Sequence, residues 1–118
     1  MTGQLTANQV AAHLAQLARD LDDLVHRIAD AERDAVNKRE DYTLAYAKAF
    51  LAADGSMDIR RHTATEDTHE TRLAAELAEQ HVRGLRRRID SVRTRIDVGR
   101  SLGAAVRAEV SLGGASAP

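Results

Sequence analysis

The chain has 118 residues, a formal net charge of −1 and no cysteine. This length suits one ordinary domain and excludes two, and the missing cysteines exclude disulfides and thiolate metal sites. One Phe, two Tyr and no Trp leave Leu, Val, Ile and Ala to build the core, which favours closely packed helices over a sheet. No apolar run approaches the roughly 20 residues needed to cross a bilayer, and no signal-like segment occurs. A cytoplasmic protein with no membrane partner is therefore expected.

The first predicted element is a long helix. Thr6 and Gln9 can form a capping box at its start. Beyond them, apolar residues recur in alternating steps of four and three, which is the repeat of a coiled-coil seam. The members of this first seam are Val10, Leu14, Leu17, Leu21, Leu24, Ile28, Ala31 and Ala35. The pattern predicts helix 1 over about residues 7–53, with Gly55 as its stop and Ser56 as the cap of the next helix.

A second seam predicts helix 2 over about residues 57–110. Its members, led by Leu73 and Leu77, are Val82, Leu85, Ile89, Val92, Ile96, Gly99, Gly103, Val106 and Val110. Residues 62–71 hold a single apolar residue, so both a loop and a helix remain open for them. The small residues at 113–118 are expected to form a disordered tail.

Two glycines fall on the second seam itself. A glycine inside a helix costs about 1 kcal/mol relative to alanine, so Gly99 and Gly103, four apart on one face, favour the close approach of another backbone. The alternative is that the helix frays near residue 100. Because the seam continues through Val106 and Val110, close packing is the preferred interpretation.

The short break between two rods of similar length favours an antiparallel hairpin. A pivot near residue 55 pairs Ile28 with Val82, Leu21 with Ile89 and Leu14 with Ile96. The predicted fold is all-α, a long coiled-coil-like antiparallel helical hairpin that forms one domain over residues 1–112. Two helices bury only one stripe each, so a homo-oligomer is also expected. The residues assigned to helix packing or oligomer contacts are Leu17, Leu21, Leu24, Ile28, Leu85, Ile89, Val92, Ile96, Gly99 and Gly103.

Positive charge is concentrated in helix 2. Residues 83–100 hold seven arginines against two aspartates. Arginine favours bidentate contact with phosphate, so this run is a candidate nucleic-acid surface that binds the backbone without base specificity. Ion pairing within the hairpin is the alternative, since Asp20, Asp22 and Asp23 fall opposite residues 87–90.

A second, thinner basic patch lies on helix 1 and at the bend. Lys38 and Arg39 are followed on later helical turns by Tyr42, Tyr46 and Lys48, and tyrosines beside basic residues can stack on unpaired bases. The preferred alternative places both tyrosines in the core of the hairpin tip. The members of the patch just past the bend are Arg60 and Arg61.

His62, Glu66 and His69 share a helical face at a spacing that suits a metal ion. A complete site needs a third or fourth ligand and supporting hydrogen bonds, and Glu70 is the one nearby addition. A solvated polar face is the preferred interpretation. No catalytic arrangement stands in a pocket-forming context, so neither an enzyme nor a cofactor is expected.

Three stretches resemble the phage recombination mediators of the UvsY type. They are NKREDY (37–42), DGSMDIRRHTA (54–64) and IDVGRSLGAAVRAE (96–109). That family has a basic pair before an Asp-Tyr, then a break with Gly, Ser, Met and Asp, then a helix with a basic, Ala-rich end. The resemblance implies that Lys38 and Arg39 are the basic pair, which contributes to single-stranded DNA binding. The chain also looks like small phage-encoded proteins of early gene regions.

The resemblance implies an oligomeric, non-enzymatic accessory protein of the host cytoplasm. Such a protein binds single-stranded DNA, helps to displace single-strand-binding protein and assists a recombinase to assemble. The residues predicted to touch phosphates are Lys38, Arg39, Arg60, Arg61, Arg83, Arg86, Arg87 and Arg88. The main alternative is a structural coiled-coil adaptor or assembly protein of a phage with no nucleic-acid role. A third, a small secreted helical hairpin, is disfavoured because its signature residues are missing.

Overall fold

The computed structural model describes residues 6–115. Its elements are helix α1 (Ala7–Ala52), helix α2 (Met57–Asp67) and helix α3 (His69–Ala115), with no strand within residues 6–115. The predicted all-α helical hairpin is confirmed. None of the described helices is long and apolar enough to span a membrane.

The chain divides into two compact units, each built where α1 runs antiparallel to the returning chain. Unit 1 combines α1 up to Val25 with α3 from Arg87 onward, and unit 2 consists of His26–Arg86. The predicted single domain over residues 1–112 therefore corresponds to two packing units that share their long helices.

The capping box predicted at the start of α1 is confirmed. The Thr6 backbone N–H donates to Gln9 Oε1 at 2.9 Å, and the Gln9 backbone N–H donates to Thr6 Oγ1 at 3.1 Å. These reciprocal bonds satisfy two donors that a helix start leaves without partners.

The predicted stop and cap at the bend are confirmed as well. Gly55 has a φ of +111°, a conformation that side chains disfavour. A Cβ added there would also lie 3.2 Å from Cγ2 of Ile59. The next helix is capped by Ser56, whose Oγ accepts the Ile59 backbone N–H at 3.3 Å. The chain thus leaves α1 and enters α2 within four residues.

Residues 62–71 are helical on both sides of a single break at Thr68. This residue is buried, and its Oγ1 donates to the Ala64 carbonyl at 2.6 Å while its backbone N–H donates to the same oxygen at 3.1 Å. A hydroxyl that bonds back to this carbonyl competes with the helical ladder. One continuous helix from 57 to 110 was therefore wrong, because α2 ends at Asp67.

The far end of α3 also differs from the prediction. The helix runs to Ala115, so it includes the first residues of the predicted disordered tail and passes the predicted end at 110. Residues 116–118 of that tail lie outside the described residues. No proline occurs before position 118, so nothing in the sequence stops the helix at 110.

The core of unit 2 is built from small side chains. Its most deeply buried large residue is Leu85, which is 2% exposed. Leu73 and Leu77, predicted to lead into the second seam, are exposed, and alanines continue the three-four alternation in their place. The other buried seam residues of unit 2 are Ala31, Ala35, Ala75, Ala78 and Val82. Thin side chains allow the two helices to lie close together.

The core of unit 1 follows the predicted seams more closely. Its buried seam residues are Val10, Leu17, Leu24, Ile89, Val92, Gly99 and Gly103, and its half-buried ones are Leu14, Leu21, Ile96 and Val106. The seams assigned to packing are thus covered within the chain itself. The half-buried members keep part of their surface open to contact between copies.

The predicted pairing register is wrong. In unit 2, Arg39 pairs with Glu79 and Glu32 with Arg86, so paired numbers add up to 118 instead of about 110. In unit 1, Gly99 faces Leu14, three residues beyond the predicted partner. The prediction placed the pivot at the glycine of the bend, whereas α2 is inserted before α3 begins.

The two seam glycines of α3 are buried against side chains of α1. A Cβ added at Gly99 would lie 2.7 Å from Leu14 Cδ2, and one added at Gly103 would lie 3.4 Å from Val10 Cγ1. The predicted close approach of another backbone is wrong, because side chains of α1 occupy the space beside both glycines. Fraying near residue 100 does not occur, since α3 continues beyond it.

Gly84 offers a contrasting case in the same helix. A Cβ added there meets nothing within 4 Å. We expect Gly84→Ala to raise the free energy of unfolding by about 1 kcal/mol, because alanine restricts the unfolded chain and favours the helix. Urea denaturation followed by circular dichroism measures the change. Gly99→Ala should raise the free energy of unfolding by less, because the added methyl group displaces Leu14. An equal increase for the two variants would contradict the contact between Gly99 and Leu14.

Candidate nucleic-acid interface

The eight predicted phosphate contacts are divided between the two units. Unit 2 holds Lys38, Arg39, Arg60, Arg61, Arg83 and Arg86, and unit 1 holds Arg87 and Arg88. The two groups differ in how close carboxylate side chains lie to the basic side chains.

Three of these arginines line one groove between α1 and α3 in unit 2. The groove has a volume of about 360 Å³. Its apolar lining consists of Ala35, Val36 and Val82. Its charged lining consists of Glu32, Arg39, Glu79, Arg83 and Arg86. We call this site the arginine groove; its three arginines and two glutamates give it a net charge of +1.

The helical repeat explains why these residues meet. Arg83 and Arg86 each follow a buried seam residue of α3 by one position, so both project to the same side of the helix. Glu32 follows the seam of α1 in the same way. With the observed register, this side of α1 also brings Arg39 against Glu79. The arginine groove therefore lies beside the buried seam of the hairpin.

Two of the groove arginines are held by carboxylates and one is not. Arg39 pairs with Glu79, and Arg86 Nη2 lies 3.4 Å from Glu32 Oε1. Arg83 forms no ion pair within residues 6–115. The Arg39 and Arg86 side chains are 60% and 61% exposed, so their pairs are worth little in water and can be exchanged for another anion.

A second cavity adjoins the arginine groove and brings in an aromatic ring. It has a volume of about 450 Å³ and shares Arg39 and Glu79 with the groove. Its further lining includes Tyr42 and Arg72, the latter paired with Glu76 at 3.1 Å. Sequence reasoning missed Arg72 because the preceding segment remained open between loop and helix.

Tyr42 and Tyr46 contact each other at the tip of unit 2. Their ring centroids are 6.3 Å apart at an interplanar angle of 67°, which is an edge-to-face pair. Both side chains are half-buried. Half-burial agrees with the preferred core role of both tyrosines, and Tyr42 also lines the second cavity.

The remaining basic residues of unit 2 lie outside the groove lining. Lys38 Nζ pairs with Asp34 at 2.7 Å, and Arg61 pairs with Asp58 at 3.2 Å, both within one helical turn. Arg60 is half-buried, and its Nε is shielded from solvent without a hydrogen-bond partner in the part of the chain that the structure describes. These three residues are not brought together with Arg83 and Arg86.

In unit 1, arginines and aspartates line one cavity of about 250 Å³. Its lining includes Arg88 and Arg95 from α3 together with Asp20 and Asp23 from α1. Arg87, Arg88 and Arg95 form no ion pair with any described residue, and Asp20 accepts a hydrogen bond from Gln16 at 2.8 Å. The aspartates therefore lower the local positive potential without binding the arginines directly.

The candidate metal ligands do not assemble. Among the residues described, no group of three or more histidine, aspartate or glutamate side chains is placed to hold an ion. His69 Nδ1 instead lies 3.2 Å from Arg72 Nη2. No metal chemistry is assigned to this face.

Comparison of the chain with known proteins adds nothing to the geometry as a basis for inferring function. No protein-family model, curated protein or solved structure matches the chain.

Proposed function

We propose that this chain is a non-enzymatic accessory protein that binds single-stranded DNA and assists a recombinase to assemble on it. The observation that carries the proposal is the convergence of Arg39, Arg83 and Arg86 on one groove, with Tyr42 in the adjoining cavity. Arginines that track a phosphate backbone beside an aromatic ring are the usual elements of a single-strand site.

The groove suggests how a strand would be held. Arg83 has no carboxylate partner among the described residues, so it would make the first phosphate contact. Glu79 and Glu32 keep Arg39 and Arg86 extended into the groove, so that each guanidinium can exchange a carboxylate for a phosphate. Each guanidinium therefore has charge-assisted hydrogen bonds both in the free protein and in the complex with DNA.

Binding of this kind suits a mediator. Phosphate contacts carry no sequence information, and a protein that prepares DNA for a recombinase must act on any sequence. The resemblance to the UvsY-type mediators supplies the remaining parts of the proposal. These are the recombinase and single-strand-binding protein as partners, a phage gene, and the host cytoplasm as location.

One observation favours the alternative of a structural coiled-coil adaptor. Two groove arginines already pair with acids of the facing helix. If the arginines serve only those pairs, the hairpin is a scaffold and nucleic acid is irrelevant to it. The two proposals differ in whether the groove accepts an external anion.

Fluorescence anisotropy with a labelled single-stranded oligonucleotide distinguishes the mediator from the adaptor. Three phosphate contacts predict a loss of affinity of about 20-fold between 50 and 200 mM salt, because counterions are released on binding. Absence of binding at the lower salt would favour the adaptor. Binding that ignores salt would exclude phosphate contact as its source.

A further inference from the structure

We propose that a second copy of this chain docks antiparallel on an apolar groove of unit 1. This groove lies between α1 and α3 and has a volume of about 410 Å³. Its apolar lining is Leu14, Ala18, Leu21, Val25 and Ile96, with Asp22 and Arg100 as its charged members. We call it the apolar groove. The proposal does not depend on DNA binding.

A second apolar track on α1 forms one wall of this groove. Each member follows a residue of the first seam by one position, so the track repeats the four-three alternation on an adjacent face. The members within unit 1 are Ala11, Ala15, Ala18, Asp22 and Val25. All five side chains are exposed, although four of the five are apolar. In unit 1, α1 therefore has a wider apolar face than α3 covers.

The solvent-exposed area of the chain is larger than expected for a folded monomer of its mass. The chain exposes 8732 Å², whereas a folded monomer of 12.9 kDa is expected to expose about 6,300 Å². A stable interface of standard size removes about 800 Å² from each partner. The surplus is about three times that area.

The order of side chains along this side of α1, taking the track together with the adjacent seam residue Leu21, is self-complementary. If a two-fold axis passes beside Ala18, this residue meets its own copy, Ala15 meets Leu21, and Ala11 meets Val25. A small residue thus faces a larger one on both sides of the axis, and alanine at the centre lets the helices approach closely. A parallel arrangement would instead place each residue against its own copy along the whole track.

The charged members of the groove support the same orientation. Gly99 contacts Leu14, so the adjacent Arg100 lies level with that end of the groove, while Asp22 lies toward the other end. An antiparallel copy brings Asp22 of each chain toward Arg100 of the other. Arg100 is held only loosely within its own chain, at 4.0 Å from Asp97. Opposite charges therefore meet at both ends of the proposed contact.

Light scattering coupled to size exclusion tests the proposal. At about 100 µM, far above the dissociation constant of a standard-size interface, the wild type should have twice its monomer mass. Ala18→Glu places two like charges at the two-fold axis and should restore the mass of 12.9 kDa with unchanged helicity. Ala12→Glu makes the same substitution on the outer face of the same helix and should remain a dimer.

A cross-link tests the orientation independently, because the chain has no cysteine. Oxidised Ala18→Cys should run as a covalent dimer on a non-reducing gel, and Ala12→Cys should run as a monomer. A monomeric wild type would overturn the proposal and leave the groove to a different partner. Retention of the wild-type mass by Ala18→Glu, or failure of Ala18→Cys to cross-link, would overturn it equally.

Discussion

Replacing Leu85 with alanine is expected to lower the free energy of unfolding by about 2–5 kcal/mol. Leu85 is 2% exposed and is the largest fully buried side chain among the described residues. Its neighbours on the seam of unit 2 are mostly alanines, whose short side chains have little capacity to collapse into the space that is left. Urea denaturation followed by the helical circular dichroism signal measures the loss.

Leu77→Ala is the matched control for this prediction. Leu77 lies on the same helix and is 56% exposed. The same atoms are removed from a site where little is buried, so stability should change by less than about 0.5 kcal/mol. Equal losses for the two variants would contradict the observed assignment of which α3 face is buried.

Replacing Arg39, Arg83 and Arg86 together with glutamine is expected to weaken single-stranded DNA binding by at least about 20-fold at low salt. The substitution removes all three guanidinium groups from the arginine groove. The salt dependence should fall as well, because each lost phosphate contact reduces the slope of log affinity against log salt by about 0.7. Anisotropy titrations at several salt concentrations give both quantities.

A control variant removes the same total charge elsewhere. Arg19, Arg33 and Arg107 lie outside the lining of the groove, and Arg33 is 73% exposed and paired with Asp30. Glutamine at these three positions should leave affinity within about threefold of the wild type, since general charge contributes little once screened. If both triple variants lose binding equally, the groove is not the site and general positive charge is responsible.

The local features of the fold were predictable because they depend on neighbouring residues. Thr6 and Gln9 cap α1, and Gly55 and Ser56 separate α1 from α2, through contacts within three or four positions. The heptad alternation likewise indicated which faces are buried. Alanine was the exception: Ala75 continues the seam where the larger Leu73 was preferred, since pattern reasoning gives weight to size.

The groove could be predicted only in part, because it depends on register. The sequence singled out Arg83 and Arg86 on one helix and Arg39 on the other, but it gave no indication that they meet. The pivot assumed at Gly55 places Thr71 opposite Arg39, whereas Glu79 lies there. The shift accompanies the insertion of α2, which a break at Thr68 separates from α3. Such a break depends on tertiary burial as well as local sequence.

The alanine-rich core of unit 2 has a thermodynamic consequence. Ala31, Ala35, Ala75 and Ala78 each bring a single methyl group to the seam, so unfolding exposes little hydrocarbon per residue. The heat-capacity change of unfolding grows with newly exposed apolar area. A small change flattens the curve of stability against temperature. The free energy of unfolding of unit 2 should therefore vary less with temperature, and unit 2 should resist cold better than a domain with a large aliphatic core.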